Sequence, residues 1–424
     1  MNLKRILFII GFIILVFAFG TLIYFVFIKD LVAPSNTNTN INAEPSANVN
    51  TGGLPVINGI ANTNQTTGIS NVNRLMNVNR VRNVNQAQVD KVAQGGLTLA
   101  ETAVSQQAEF AAPTASGSGI RFYDKVQDKF FRIDADGLAK EMSNQIFPEA
   151  KEVSWSPQGD KAIITFPDDS KVMYDFDTQE QVTLPKEWDG IEFSPSGEKI
   201  GFKNISAEEQ ARWLAVSSPD GTEVELIEPL GDKANDVAVN WSPTGQVVAL
   251  YRQAYSGDSQ EAFLIGLHGE NFKSIITEGR GFEGLWSPQG DQLLYNVYNA
   301  ESNYNPKLYL VDAAGDQVGA NKIDLGLKTW SSRCTFATTE SFLYCAVPEY
   351  LPLGSGIYPE VAGSTNDSIY KIDVNTGTKS LLALPTFLTG ERDYTINSLF
   401  LSNDERTLYF SDGNTGNVYS IELR

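Results

Sequence analysis

Trp155-Ser156-Pro157-Gln158-Gly159-Asp160 recurs along the chain as Phe193-Ser194-Pro195-Ser196-Gly197-Glu198, Trp241-Ser242-Pro243-Thr244-Gly245-Gln246 and Trp286-Ser287-Pro288-Gln289-Gly290-Asp291, at intervals of 38, 48 and 45 residues. A period of that length marks a repetitive architecture. Each copy reads as one turn: an aromatic residue ends a strand, the Ser hydroxyl supports the bend, Pro presets φ, and Gly supplies the positive-φ position that closes it. The runs that follow, such as Lys161-Ala162-Ile163-Ile164-Thr165-Phe166 and Gln292-Leu293-Leu294-Tyr295-Asn296-Val297, are β-rich and of strand length.

A second hairpin follows each of these after a variable gap, as in Val172 to Asp177 leading to Gln181-Val182-Thr183-Leu184, or Ile369-Tyr370-Lys371-Ile372-Asp373 leading to Lys379-Ser380-Leu381-Leu382. The two hairpins together make four antiparallel strands per repeat, which is one propeller blade. Third-strand segments near Phe130, Met173, Trp213, Phe263, Leu308, Ile369 and Val418 give seven blades, with six or eight as alternatives. Phe336 to Glu340 and Phe400 to Asp404 stand where the turn has lost its Ser-Pro-x-Gly. The first unit lacks an obvious first strand and the last ends after its third, so the ring closes if a segment before Ile120 supplies the missing outer strand. The fold class expected is all-β, a β-propeller.

On these residues the chain resembles the TolB-type, WD-repeat-like propellers and the propeller domains that precede prolyl-oligopeptidase hydrolases. The resemblance spans Lys151 to Arg424 and implies a toroid with an axial channel, used for protein contacts or as a gate over a catalytic domain. No G-x-S-x-G stretch and no α/β segment follows the propeller, so the hydrolase half is missing.

Three segments are expected: a cytoplasmic N-terminus and membrane anchor at 1–30, an Asn/Thr-rich flexible linker at 31–115, and the propeller at 116–424. Ile6 to Ile28 is an uncharged apolar run of 23 residues, long enough to span a bilayer and longer than the apolar part of a cleaved signal peptide. Lys4 and Arg5 before it place the N-terminus in the cytoplasm and the propeller outside. The linker is poor in aromatic residues and repetitive, as in Asn71-Val72-Asn73-Arg74 and Asn77-Val78-Asn79-Arg80. Within it, Asp90 to Phe110 has a composition compatible with a short helix or a strand that joins the domain.

The chain carries a net charge of −19, and Ile120 to Arg424 alone holds 25 Lys and Arg against 46 Asp and Glu. That acidity excludes a nucleic-acid footprint. One histidine, His268, in a hairpin turn, and two cysteines supply neither a zinc set nor a catalytic dyad, and the Asp-rich turns at Asp134 to Gly137 and Asp175 to Asp177 read as turn chemistry rather than calcium sites. No metal or cofactor is expected. Cys334 and Cys345 flank the degenerate turn at Thr338-Thr339-Glu340 so that a simple hairpin sets them opposite each other. That spacing, in an oxidising compartment, favours a disulfide over two buried thiols.

An insertion from Ala346 to Asn366 separates the second and third strands of the sixth repeat. It carries Tyr350, Leu351, Leu353, Ile357 and Tyr358, and the shorter loop from Tyr298 to Asn305 in the fifth repeat adds Tyr304. A long loop without periodicity in a compact domain is often functional, so these six are the candidate binding residues, with a loop merely packed for stability as the alternative. The function expected is an anchored extracytoplasmic binding or scaffold module whose partner is another envelope or extracellular protein. The alternatives are an enzyme acting on glycans or peptides through carboxylates and tyrosines in the channel, and a sensor or assembly subunit of an envelope complex.

Overall fold

Each Ser-Pro-x-Gly stretch forms the turn between the first and second strands of a blade. The Ser hydroxyl accepts the backbone N–H five residues on, from Lys161 to Ser156 (3.1 Å), Lys199 to Ser194 (3.1 Å), Val247 to Ser242 (3.0 Å) and Gln292 to Ser287 (3.1 Å). The glycine N–H donates back to the Ser carbonyl, at 3.0 Å for Gly159, with φ at +74°. Only glycine takes that conformation without steric cost.

The computed structural model describes residues 88–424, apart from 106, 135 and 364, and these build seven antiparallel four-stranded blades in a ring. All seven third-strand segments picked from sequence are third strands, from Lys129–Ile133 in blade 1 to Val418–Glu422 in blade 7. The degenerate turns keep the same geometry. Glu340 and Glu405 occupy the positive-φ position of blades 6 and 7, at +57° and +55°. A side chain there costs on the order of 1 kcal/mol, and each carboxylate compensates by accepting an N–H from the preceding blade's turn, Glu340 from Gln289 and Glu405 from Thr338. A further copy, Thr114-Ala115-Ser116-Gly117, turns blade 1 with Gly117 at +64°; it lies before the segment where the sequence shows a repeat.

Three short strands precede that repeat, and each joins a different blade. β1 (Gly96–Leu99) runs parallel to the outer strand of blade 6, β2 (Glu101–Val104) is the outer strand of blade 7, and β3 (Ala108–Pro113) is the inner strand of blade 1. Blade 7 thus takes three strands from the C-terminal end and one from before blade 1, which closes the ring. The strands therefore start inside the 31–115 segment read as linker. Of the two readings of Asp90 to Phe110, the strand that joins the domain is the one observed, and its small side chains fill gaps between sheets: Ala93, Ala100, Val104 and Ala108 are all under 8% exposed. The expected span at 6–28 and the rest of the linker lie outside the described residues. Among the described residues no helix is long and apolar enough to cross a membrane.

Seven apolar clusters account for seven interfaces between blades. Tyr123 and Phe130 of blade 1 meet Ile164 and Tyr174 of blade 2, Ile163 and Met173 of blade 2 meet Phe193 and Phe202 of blade 3, and so on round to Val104, Phe400 and Val418 of blade 7 against Phe122 and Phe131 of blade 1. The turn tryptophans belong to these cores. Trp155 packs its ring 5.3 Å from Phe130 and donates Nε1–H to the Phe110 carbonyl of blade 1 (2.9 Å), while Trp241 fills the space beside Gly201, where a Cβ would lie 2.8 Å from its indole nitrogen. Cys334 and Cys345 are register partners on the first two strands of blade 6 and are bonded to each other.

Antiparallel order puts all first-to-second-strand turns on one face of the ring, the turn face. The second-to-third-strand loops and the connectors between blades lie on the opposite, loop face. A fragment beginning at Gln88 should unfold cooperatively with the thermal midpoint of the full chain, whereas one beginning at Ser116 loses β1, β2 and β3 and should show no cooperative transition by circular dichroism.

Candidate functional site

The insertion leaves blade 6 after the strand Phe342–Pro348 and returns at Asp367–Asp373, on the loop face. It is an ordered element. Ser355 N–H and Oγ–H both donate to the Pro352 carbonyl (3.3 and 2.7 Å), Ile357 and Tyr358 donate to Gly354 O (2.9 and 3.0 Å), and a 3-10 turn at Pro359–Ala362 starts with proline, whose missing N–H costs nothing there. Ser355 and Ala362 are fully buried beneath it.

The blade 5 loop is joined to this insertion. Gly354 N–H donates to Asn303 O (3.0 Å), Gly356 N–H to Tyr304 O (2.8 Å), and Ser355 N–H to Asn305 Oδ1 (3.3 Å). Gly356 is required at the seam, since a Cβ would come within 2.7 Å of both Tyr298 Cβ and Tyr304 O. Asn303 and Tyr304 sit at φ +56° and +53° in succession, a strained pair held by Tyr304 N–H on Asn299 O (2.8 Å). Such strain collects where a side chain must be aimed.

The result is an apolar platform. Leu353 is 76% exposed, Tyr350 65% and Tyr358 59%, with Ile357 and Tyr304 also exposed and Leu351 half-buried. The tertiary fold joins the two loops that carry the six candidate residues through these hydrogen bonds. Two further exposed apolar residues were not among the candidates picked from the sequence. Val361 lies in the 3-10 turn, and Leu388, 80% exposed, lies on the blade 6 to blade 7 connector, which reaches the insertion through the Arg392–Glu349 ion pair and Tyr394 N–H on Asn366 Oδ1 (3.2 Å).

A buried polar cluster lies at the insertion's root. Asp367 and Arg333, 1% and 8% exposed, pair at 3.5 Å; Asp367 also accepts the Ile396 N–H, Arg392 donates to its carbonyl (2.8 Å), and Arg333 stacks on Trp330 at 4.6 Å. Burial pushes the Asp367 carboxyl up to about 6, with Arg333 and the Ile396 amide opposing, and lowers Arg333 from its ordinary value. On the first strand of blade 3, Glu192 keeps solvent contact but is crowded by the surrounding strands, and this desolvation pushes it up to about 7 against one hydrogen bond from the Trp241 amide. Glu283 of blade 5 is raised for the same reason, opposed by Arg252 and Asn296.

His268 is exposed in its turn. The Asp175 carboxylate accepts the Asp177 and Thr178 amides of its own turn and pairs with Lys161 at 3.3 Å. Among the described residues no group of three or more His, Cys, Asp or Glu is arranged to hold a metal ion.

No protein-family model matches the chain, and no curated protein matches it. Solved structures do. Hydrazine synthase of Kuenenia stuttgartiensis matches with a TM-score of 0.50 at 13% identity, covering 76% of this chain and 97% of that one. An oligogalacturonate lyase in complex with manganese matches with a TM-score of 0.50 at 15% identity, covering 74% and 88%. At these identities the likeness is one of fold, and it agrees with the topology: the described residues form a seven-bladed β-propeller.

The native Glu192 holds its proton to about pH 7, against an ordinary 4.5, so folding takes up a proton in that window and stability falls as pH rises through it. Glu192→Gln should therefore raise the thermal midpoint by about 1–2 °C at pH 8 and leave it unchanged at pH 4; an equal shift at both would refute this. Arg333→Met strands a buried carboxylate and should cost about 3 kcal/mol at pH 8 in denaturant unfolding, and less at pH 5, where Asp367 is protonated.

Proposed function

We propose that the chain is a membrane-anchored, extracytoplasmic protein-binding or scaffold module whose contact surface is the loop face over blades 5 and 6. The observation that carries this reading is the platform itself, where Tyr350, Leu353, Tyr358, Ile357 and Tyr304 stand in water on a backbone held by hydrogen bonds on both sides. Aromatic and aliphatic side chains presented this way match the composition of protein interface cores, and Glu349, Glu360 and Arg392 around them match the polar rim. Because the loops are ordered before any contact, association spends little entropy on fixing them.

The anchor rests on the 23-residue apolar run and its preceding basic pair. The chain also joins the ring on the loop face, where Val89 lies beside Gly390 of the same connector that carries Leu388. An assembly or sensor subunit would use this same surface.

One observation favours a second reading, an extracytoplasmic enzyme for glycans or peptides: the first-strand carboxylates Glu192 and Glu283 hold protons more tightly than free glutamate, as a general acid must.

The test is capture from an envelope extract with the full-length chain and with a Tyr350→Ser, Leu353→Ser, Tyr358→Ser triple variant. These exposed positions should leave the thermal midpoint within about 1 °C, as surface changes do, while recovery of a specific partner falls at least about tenfold, the loss of one hot-spot contact. Recovery of the same proteins by both forms would refute the platform as the contact surface. Hydrolysis of a glycan or peptide that Glu192→Gln abolishes would install the enzyme reading.

A further inference from the structure

Blade 4 is short at its outer edge. Its fourth strand, Ile275–Thr277, pairs only with Gln260 to Ala262 of the third strand, Ser259–Gly266, and beyond these the third strand meets a single bridge, Ile265 to Asn271. A cleft of about 460 Å³ opens there, between blade 4 and the outer strand of blade 3, Glu225–Pro229. That is the size of a small-molecule site.

Its apolar wall is formed by Ile227, Leu230, Tyr251, Phe263 and Ile265. Tyr251 and Phe263 are direct cross-strand partners whose rings stack at 5.7 Å. Phe263 is half-buried yet belongs to none of the seven apolar clusters between blades, so its ring borders the cleft and not a core. Lys233 stands at the loop-face end, on the 3-10 connector Gly231–Asp236, with its ammonium 5.3 Å from the centre of the Tyr251 ring. It makes no ion pair or side-chain hydrogen bond with any described residue. Two carboxylates share the wall, and neither comes within 4.0 Å of that ammonium: Glu228 is exposed on the outer strand, and Glu270 accepts the His268 N–H (2.7 Å) in the turn at the opposite end. In a domain whose acids outnumber its bases by 21, a cation with no acid of its own, beside a ring that packs on no core, fits a ligand that brings both an acid and an apolar body.

We propose that this cleft binds a small apolar monocarboxylate, with its carboxylate on Lys233 Nζ and a flat ring or short hydrocarbon body along Phe263, between Ile227 and Ile265. The apolar wall supplies the affinity and the charge-assisted hydrogen bond the orientation. The body also keeps water from the ion pair, which would contribute little if fully exposed. A neutral ligand of the same shape forgoes that pair, and a second carboxylate would meet Glu228 or Glu270.

The experiment is calorimetric titration of the full-length chain in lipid nanodiscs, with empty nanodiscs as the blank, using naphthylacetate and its uncharged isostere naphthylacetamide at equal ionic strength. The acid should bind saturably, one per chain and about tenfold more tightly than the amide, the worth of one charge-assisted hydrogen bond. Lys233→Gln should erase that preference and leave the affinity for the amide unchanged; the side chain is exposed and its replacement touches no core. Phe263→Ala should weaken both ligands about tenfold, through lost apolar contact; if that variant does not fold, Lys233→Gln decides alone. Absence of saturable binding by the acid, equal affinity of the unaltered chain for acid and amide, or an undiminished preference in Lys233→Gln would overturn the proposal.

Discussion

A propeller blade is a four-stranded sheet with two apolar faces, and neither can be left in water. Every blade must therefore have a neighbour on both sides, and a row of blades satisfies that only by closing on itself. The seven apolar clusters, one per interface, are the physical content of that requirement. Closure depends on β2, which brings a strand from before blade 1 to complete blade 7, and on β1 and β3 on either side of it. Apolar burial at about 25 cal/mol per Å² acts on all interfaces together, so blades 1, 6 and 7 are coupled through a segment of fewer than twenty residues.

The two faces of the ring divide the work. On the turn face the repeated turn is a scaffold device, and hydrogen bonds tie it across five of the seven neighbouring pairs of blades. Arg121 bonds the Ser156 carbonyl, Gln158 the Ser196 carbonyl, Glu340 the Gln289 amide, Glu405 the Thr338 amide, and Asn403 the Ser116 carbonyl. The loss of Ser-Pro-x-Gly in blades 6 and 7 is thus a replacement, in which a carboxylate at the strained position reaches the neighbouring turn. On the loop face nothing repeats. The platform of blades 5 and 6 is built from loops that differ in length and sequence from their counterparts, which is where a propeller can acquire a particular contact without disturbing its cores.

Much of this was legible in the residues. Ser-Pro-x-Gly with an aromatic residue before it and a β-run after it is a local code, and Trp155, Trp241 and Trp286 announced both the turn and a large apolar side chain in need of cover. The insertion was visible as Pro, Gly, Tyr and Leu without periodicity. Ala93, Ala100, Val104 and Ala108 were not legible as core, because a small residue declares no apolar pattern until the gap it fills is known. Leu388 and Val361 were unremarkable in sequence for the converse reason: exposure is a property of what does not pack on them.

The sequence by itself determined the blade unit, the seven third strands, the turn and the pairing of Cys334 with Cys345, because these follow from φ preferences, two-residue alternation and hairpin register over a few positions. Tertiary structure alone decided that β1, β2 and β3 belong to three different blades, that Gly354 and Gly356 seam the blade 5 and blade 6 loops together, and that Asp367 is buried. Those outcomes depend on ring closure and on the environment summed over distant segments, and no window of a few residues contains that sum.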